Sequence, residues 1–360
     1  MSLHRNGAVD GFVLSDVLPE PTFLIARQLR KGLMGRLFFD GIEVVRDKDE
    51  GDRSFNAAAL DQAVALLRDG GRLVVFPEGT STLRHRPLPF KTGAARILER
   101  ALTAGIPVAV VPLAHHHERA WAFRSRMEIM VGEPVATSLP AHLDLHARVD
   151  ELHRRMGEAL LSVGTSFGSD EEQETAQRLA YAATLGTDRS YALTLKQLER
   201  GVPTGVQAAW RDLLPRIAAS RAFEHQGIPL VPLGPSGLYA LALMLLAPFV
   251  LSAALLNLPP VAAAWWAGRT LPDDRNVIAL WRLLVGLPAL ALWTIMVAMT
   301  CLLAGHPGLF AGHLLVTWLG LGSWYRFKKL AVTVGNTWRA RDLAPRLRAL
   351  HETLLQELPA

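Results

Sequence analysis

The twenty-two residues from Leu283 to Ala304 contain no charged side chain. In a hydrocarbon core about 30 Å thick, a stretch of that length is stable as a helix that satisfies its own backbone hydrogen bonds. A second charge-free stretch, Leu309 to Tyr325, follows across Gly305-His306-Pro307-Gly308. Arg269, Arg275 and Arg282 precede the pair and Arg326, Lys328 and Lys329 follow it, while the connection carries no Lys or Arg. This charge distribution predicts a membrane hairpin over 283–304 and 309–325 with both outer ends cytoplasmic, and Trp324 and Tyr325 suit the interfacial belt. A further apolar stretch, Gly237 to Leu258, is interrupted by Pro248 and closed by Asn257-Leu258-Pro259-Pro260. It is expected to dip into the bilayer and return; a full crossing would instead place the basic C-terminus outside.

The first 236 residues have ordinary mixed composition, so the expectation is a catalytic front and a membrane-bound rear. A net charge of +5 suits nucleic acid, an anionic membrane or anionic substrates, and beside an apolar rear it favours membrane and phosphate over nucleic acid. The single cysteine, Cys301, excludes an intramolecular disulfide and a cysteine-based metal site. Met1 to Leu14 lacks the charged start and long apolar run of a signal peptide.

Along the front, Pro21 to Arg36 places Phe23, Leu24, Leu29, Leu33 and Met34 beside Arg27, Arg30, Lys31 and Arg36, a spacing that predicts an amphipathic helix with a basic face. Gly41 to Arg46 reads as a strand, Asn56 to Arg68 as a helix, Leu73 to Phe76 as a strand, Thr92 to Leu102 as a helix, and Pro107 to Leu113 and Met127 to Val131 as strands. Strands alternating with helices, and apolar throughout rather than alternating, predict an α/β sheet flanked by helices. Helical patterns continue over His142 to Leu161 and Glu171 to Leu198. The expected division is a catalytic domain over 1–161, a helical connector over 162–236, a membrane region over 237–329 and a basic C-terminal helix over 330–360.

Two clusters carry chemistry. Phe76-Pro77-Glu78-Gly79-Thr80-Ser81-Thr82 sets a carboxylate and a tight turn at the mouth of a strand, and His4-Arg5-Asn6-Gly7-Ala8-Val9-Asp10 brings an imidazole and a carboxylate into one loop. An imidazole held by a carboxylate makes a hydroxyl nucleophilic near neutral pH. With no enzyme-borne nucleophile expected, the attacking hydroxyl would belong to the substrate, and backbone N–H groups of the Gly79-Thr80 turn are candidate donors to an oxyanion. Arg46 and Lys91 are the residue types that bind phosphate, or else form structural salt bridges. His115-His116-His117 alternate in direction on a strand, so at most His115 and His117 share a ligand, and no metal site is expected. Only Met1-Ser2-Leu3 precede His4, so the strand expected to lead into that loop is either absent or encoded upstream of Met1, the second being favoured.

In order, these clusters resemble the glycerol-phosphate and lysophosphatidate acyltransferase family, whose blocks stand here as His4 to Asp10, Gly41 to Arg46, Phe76 to Thr80 and Val110-Val111-Pro112-Leu113. Asn6, Leu88 to Arg96, Phe123-Arg124-Ser125-Arg126 with Gly132-Glu133-Pro134, and the apolar rear are similar to the fungal-type glycerol-3-phosphate and dihydroxyacetone-phosphate acyltransferase branch and its bacterial relatives. The resemblance implies that His4 is the general base and Asp10 its orienting partner. It implies that Arg46, Glu78, Gly79 and Thr80 hold the glycerol phosphate and that the strand with Pro112 lines the acyl side. It further implies acyl-CoA or acyl carrier protein as donor, no cofactor, and a phospholipid membrane as partner. Two departures stand out: five residues rather than four separate His4 from Asp10, as that branch also shows, and Ser81 stands where many relatives carry Arg. The alternative expectation is a non-catalytic membrane protein that binds acidic lipids through the basic face of residues 21–36.

Overall fold

The structure, a computed structural model, describes residues 1–45 and 55–359. It is helix-rich, 61% helical, with small sheets, and its contacts divide the chain into two units. The first comprises Met1–His116 and Met127–Asp170, the second His117–Arg126 and Glu171–Ala360.

In the first unit, β1 (Pro21–Ala26) lies between β2 (Ile42–Val44) and β3 (Arg72–Val74), parallel to both. The amphipathic helix expected over 21–36 is therefore a correction: its first six residues are the central strand. Phe23, Leu24 and Ile25 suit a pleated, half-buried surface, and two neighbouring strands supply the ladder that a lone helix would have had to make for itself. Pro21, at the strand's first residue, removes no needed donor. A 3-10 turn, Arg27–Arg30, and α2 (Gly32–Phe38) complete the segment. Arg30 donates to Glu43 at 3.2 Å and Arg27 approaches the same carboxylate at 3.8 Å, while Lys31 and Arg36 are exposed.

A second correction concerns the strand expected over 107–113. The regular strand β4 runs from Leu113 to His117 and pairs with β5 (Met127–Val131). Pro107 and Pro112 have no N–H to give to a ladder, so regular pairing begins only beyond them. The preceding residues still use their carbonyls: Val110 O accepts from Val135 N at 2.8 Å and Pro112 O from Gly132 N at 2.9 Å. Met1–Leu3 run beside them. Ser2 N donates to Val75 O and Leu3 N to Leu113 O, each at 3.0 Å, and Leu113 N donates to Met1 O at 2.8 Å.

Helices α3 (Phe55–Arg68), α4 (Gly93–Thr103) and α5 (Leu145–Val163) pack through Ala59, Ala63, Ile97, Leu98, Leu152 and Met156. The short α1 (Val9–Val17) packs Leu14 on Val74 and Leu113, with Phe76 alongside. Leu73 and Val75 thus join the clusters of α3 to α5 while Val74 and Phe76 join that of α1, the alternation a pleated strand imposes.

The second unit begins with α6 (Asp170–Ala183), α7 (Tyr191–Arg200) and α8 (Thr204–Ala219), followed by the two-residue strands β6 (Glu224–His225) and β7 (Ile228–Pro229). Long apolar helices follow: α9 (Ser236–Leu256), α10 (Leu258–Thr270), α11 (Ile278–Leu303) and α12 (Pro307–Arg339), with α13 (Ala344–Glu357) closing the chain. By length and composition Ser236–Leu256 and Arg275–Leu303 are sufficient to cross a membrane. Pro248 lies inside α9 without ending it. The break comes at Asn257, whose side chain donates to Ala253 O at 2.9 Å and to Thr317 Oγ1 at 2.8 Å. Gly320 of α12 fits against Ala253 and Phe249 of α9, and Gly268 and Gly286 place α10 against α11 through Arg282 and Ala264. Both pairs are antiparallel, and the boundary between α9 and α10 falls at Asn257.

His225 makes a titration prediction. Tyr181 OH lies 2.7 Å from its Nδ1, and burial, with Lys328, Lys329 and Arg119 nearby, lowers its pKa to about 3. The unfolded chain therefore binds a proton that the folded one refuses, so this contribution is present above about pH 6.5 and lost as pH falls toward 3. The unfolding free energy is expected to drop by about 1.4 kcal/mol per pH unit in that window. His225→Gln removes that slope, a difference read from denaturation midpoints of the two proteins between pH 7 and 4.

Candidate active site

Because Leu3 N bonds Leu113 O, the chain leaves the sheet at His4, beside Phe76. The imidazole stacks on the Phe76 ring with centroids 4.4 Å apart, and Phe76 lies 6.4 Å from Phe23. His4 Nδ1 stands 3.1 Å from Asp10 Oδ2. That carboxylate is fully buried in the first turn of α1, and the same oxygen accepts Arg5 N at 2.6 Å and Asn6 N at 2.8 Å. Gly7, at φ 49°, allows the loop to turn so tightly that five intervening residues still bring His4 and Asp10 together. A carboxylate at Nδ1 fixes the tautomer with its proton there and leaves Nε2, on the far side of the ring, as the basic nitrogen.

Glu78 holds the loop from the other side. His4 N donates to its Oε2 at 2.7 Å and Leu88 N to its Oε1 at 2.9 Å. Burial raises its pKa, opposed by these two bonds and by Arg5 and His4. Thr82 N in turn donates to His4 O at 3.1 Å, so both backbone groups of His4 are tied to the segment after β3. Gly79 takes φ 71°, a left-handed turn that favours glycine, and its N–H donates to Phe76 O at 3.0 Å. That bond occupies the Gly79 N–H. Lys91 N donates to Pro77 O at 2.7 Å, and the exposed lysine's stem runs beside Gly79.

Among the sequence-predicted residues, the structure brings His4, Asp10, Glu78, Gly79, Thr80 and Lys91 to one place. Pro112 is buried, with its carbonyl on Gly132, and reaches the site only through its neighbours, since Val111 O accepts the Met1 amine. Arg46 lies outside the described residues.

Arg5 was passed over in the sequence. It is 7% exposed and donates to Arg84 O at 3.1 Å and Thr165 O at 3.2 Å, binding the loop after Glu78 to the segment after α5. Burial lowers its pKa while Glu78 and Asp10 oppose the shift, a buried cation between two buried carboxylates. Its position within the His4 to Asp10 cluster was the available signal. Gly164-Thr165-Ser166-Phe167-Gly168 also has Gly-x-Ser-x-Gly spacing, but it follows α5 and not a strand, so it lacks the strand-turn-helix setting of a nucleophile elbow. His116 Nε2 bonds Val163 O at 2.9 Å, and His115 Nδ1 lies 3.2 Å from Ser2 Oγ. Among the described residues, no group of three His, Cys, Asp or Glu side chains could hold a metal ion.

An imidazole facing a buried carboxylate, in a loop pinned to the Phe-Pro-Glu-Gly-Thr turn, is the arrangement these residues make. Residues 1–116 match the acyltransferase family. The chain is similar to a 1-acyl-sn-glycerol-3-phosphate acyltransferase of Cocos nucifera, 32% identical over 117 residues, which is 31% of this chain and 36% of that protein. It is also similar to 1-acyl-sn-glycerol-3-phosphate acyltransferase beta of Homo sapiens, 25% identical over 164 residues, 44% of this chain and 59% of the human protein. A probable 1-acyl-sn-glycerol-3-phosphate acyltransferase of Mycoplasma pneumoniae is 37% identical over 62 residues, 17% of this chain and 23% of its own length. The chain thus spans less than two thirds of each of these relatives. No solved structure matches it.

Glu78→Gln tests the second anchor. The amide keeps one acceptor, for Leu88 N or His4 N, and turns an NH2 group toward the other donor. Loss of that bond is expected to lower acyl transfer roughly tenfold to a hundredfold, the effect of a catalytic group displaced by about 1 Å. Comparing kcat/KM of the variant with its melting midpoint separates displacement from unfolding.

Proposed function

We propose that this protein is a membrane-bound O-acyltransferase that moves a fatty acyl group from acyl-CoA or acyl carrier protein to a hydroxyl of a glycerol phosphate. The 3.1 Å approach of His4 Nδ1 to the buried Asp10 carboxylate, within the segment that matches the acyltransferase family, carries this reading. His4 Nε2 takes the proton of the acceptor hydroxyl as its oxygen attacks the thioester carbonyl carbon, and Asp10 stabilises the imidazolium that forms. The tetrahedral intermediate places negative charge on the former carbonyl oxygen, where Thr80 N is the candidate donor. Its collapse expels the thiolate, which takes the proton back from His4 and leaves an ester. Glu78 and Arg5 act as positioning residues: both are buried, and their polar atoms are committed to holding His4 and the loops around it. Lys91, exposed beside the Gly79 turn, is the described cation best placed to meet the acceptor phosphate.

The names of the relatives favour 1-acyl-glycerol-3-phosphate as acceptor, with glycerol-3-phosphate and dihydroxyacetone phosphate as the other members of the class. The two apolar helices support a membrane location. The positive charge at the outer ends of the 283–325 hairpin supports a cytoplasmic catalytic face, and the helix break at Asn257 supports a helix pair that enters the bilayer and returns. The deciding experiment offers labelled acyl-CoA and acyl carrier protein thioester to membranes containing the full chain, with each acceptor supplied separately. A product formed from one acceptor names the reaction. No transfer from either donor to any of the three overturns the proposal.

A further inference from the structure

The connection Glu118–Arg126 leaves β4 and returns to β5, yet it belongs to the second unit, among the ends of the apolar helices. Arg282, near the start of α11, donates to Trp121 O at 2.8 Å, and Lys328 of α12 donates to Phe123 O at 2.8 Å. Tyr325 OH, at the end of the charge-free part of α12, donates to Glu118 Oε2 at 2.7 Å. These three ties hold the connection at the level where α11 begins its apolar run and α12 ends its own. Phe123 is 47% exposed there, edge-on to Trp324 at 6.1 Å.

Cations crowd this level in an unusual way. The guanidinium groups of Arg119 and Arg275 lie 5.0 and 5.4 Å from the Trp121 ring, that of Arg126 lies 4.9 Å from Tyr325, and that of Arg269 lies 4.6 Å from the exposed Trp265. Arg124, at φ 52°, is exposed beside Phe123. Among the described residues none of these five arginines is in an ion pair. Carboxylates act on two of the five, Glu118 on Arg126 and Glu174 and Glu224 on Arg119, whereas around Arg124, Arg269 and Arg275 Asp274 caps the turn at Arg275 N and Asp273 is exposed. Stacking on aromatic faces fixes guanidinium groups while leaving their N–H donors free in the ring plane, ready for phosphate oxygens. An aromatic wedge flanked by the exposed Arg124, Arg269 and Arg275 at the ends of membrane helices matches the boundary between acyl chains and anionic headgroups.

We propose that the β4–β5 connection is a docking surface for acidic phospholipid headgroups, with Phe123 seated at the acyl boundary and Arg124, Arg269 and Arg275 on headgroup phosphates. This assignment is independent of the acyl-transfer reading, since none of these residues lies in the His4 site. It also differs from the basic face expected over residues 21–36, whose first six residues are a central strand.

The test equilibrates the full chain, purified in detergent, with equimolar phosphatidylglycerol and phosphatidylcholine, and weighs the lipids retained after a second column. Phosphatidylglycerol is expected to be enriched severalfold at low salt, the enrichment falling as salt rises toward 0.5 M. Each lost cation is expected to reduce it by up to about fivefold, so Arg124→Glu with Arg275→Glu abolishes the enrichment, whereas Arg124→Lys with Arg275→Lys retains it. Arg341→Glu, a charge change elsewhere, serves as the control. No enrichment in the wild type overturns the proposal, as does an enrichment that survives the double reversal. The salt series on the unmodified chain decides the matter even where the reversal variant fails to fold, because an enrichment insensitive to salt is equally fatal.

Discussion

His4→Ala is expected to lower kcat/KM for acyl transfer by about a thousandfold, the loss that follows removal of a positioned general base. The fold should tolerate the change. The bonds that secure this residue are made by its backbone, through His4 N to Glu78 and Thr82 N to His4 O, and both remain available to alanine. What the variant loses is the ring stacked on Phe76 and the Nδ1 contact with Asp10. The melting midpoint should therefore move by a few degrees while the activity collapses, as measured on the same membrane preparation. A variant that keeps more than a tenth of wild-type activity would show that His4 is not the base.

Asp10 separates charge from hydrogen bonding. Its Oδ2 receives three donors, His4 Nδ1, Arg5 N and Asn6 N. In Asp10→Asn the two backbone donors, which cannot reverse their polarity, hold the amide oxygen in the same place, so the imidazole keeps its tautomer and loses only the negative charge facing it. The expected result is a folded protein whose kcat falls by about a hundredfold to a thousandfold, less than the roughly 10⁴-fold loss seen where an amide imposes the wrong tautomer. Asp10→Ala leaves the same two N–H groups buried without an acceptor, at about 1–3 kcal/mol each, and is expected to lose stability together with activity. Denaturation midpoints and kcat for the three proteins distinguish these cases. Equal stability of the alanine and asparagine variants would refute the role given to the backbone donors.

Much of the site was legible because its parts are local. His4 and Asp10 share a ten-residue segment, and the Phe76 to Thr80 turn carries its own proline and glycine. Met127 to Val131 reads as a strand and is one, and α3 begins within a residue of its expected start. The error at residues 21–36 has a definite cause. Phe23, Leu24, Leu29 and Leu33 satisfy a helical period, but Phe23 and Leu24 also suit a central strand, and the choice belongs to Ile42 and Arg72 across the sheet. Arg5 escaped notice because its partners, Arg84 O and Thr165 O, are backbone groups 79 and 160 residues away, and backbone acceptors leave no trace in residue identity.

The sequence by itself determined the properties that depend on short windows: charge-free stretches of membrane length, the tight Gly7 and Gly79 turns, and the supply of one imidazole and two carboxylates. Only the tertiary structure decided how those supplies are used. It set His4 N on Glu78, made Asp10 the acceptor of three donors, and moved the aromatic and cationic surface from residues 21–36 to the β4–β5 connection among the ends of the apolar helices. The physical reason is that propensity and periodicity are summed over neighbours in the chain, whereas a buried polar group is stabilised by whichever partner the folded backbone brings within about 3 Å, at any separation in sequence.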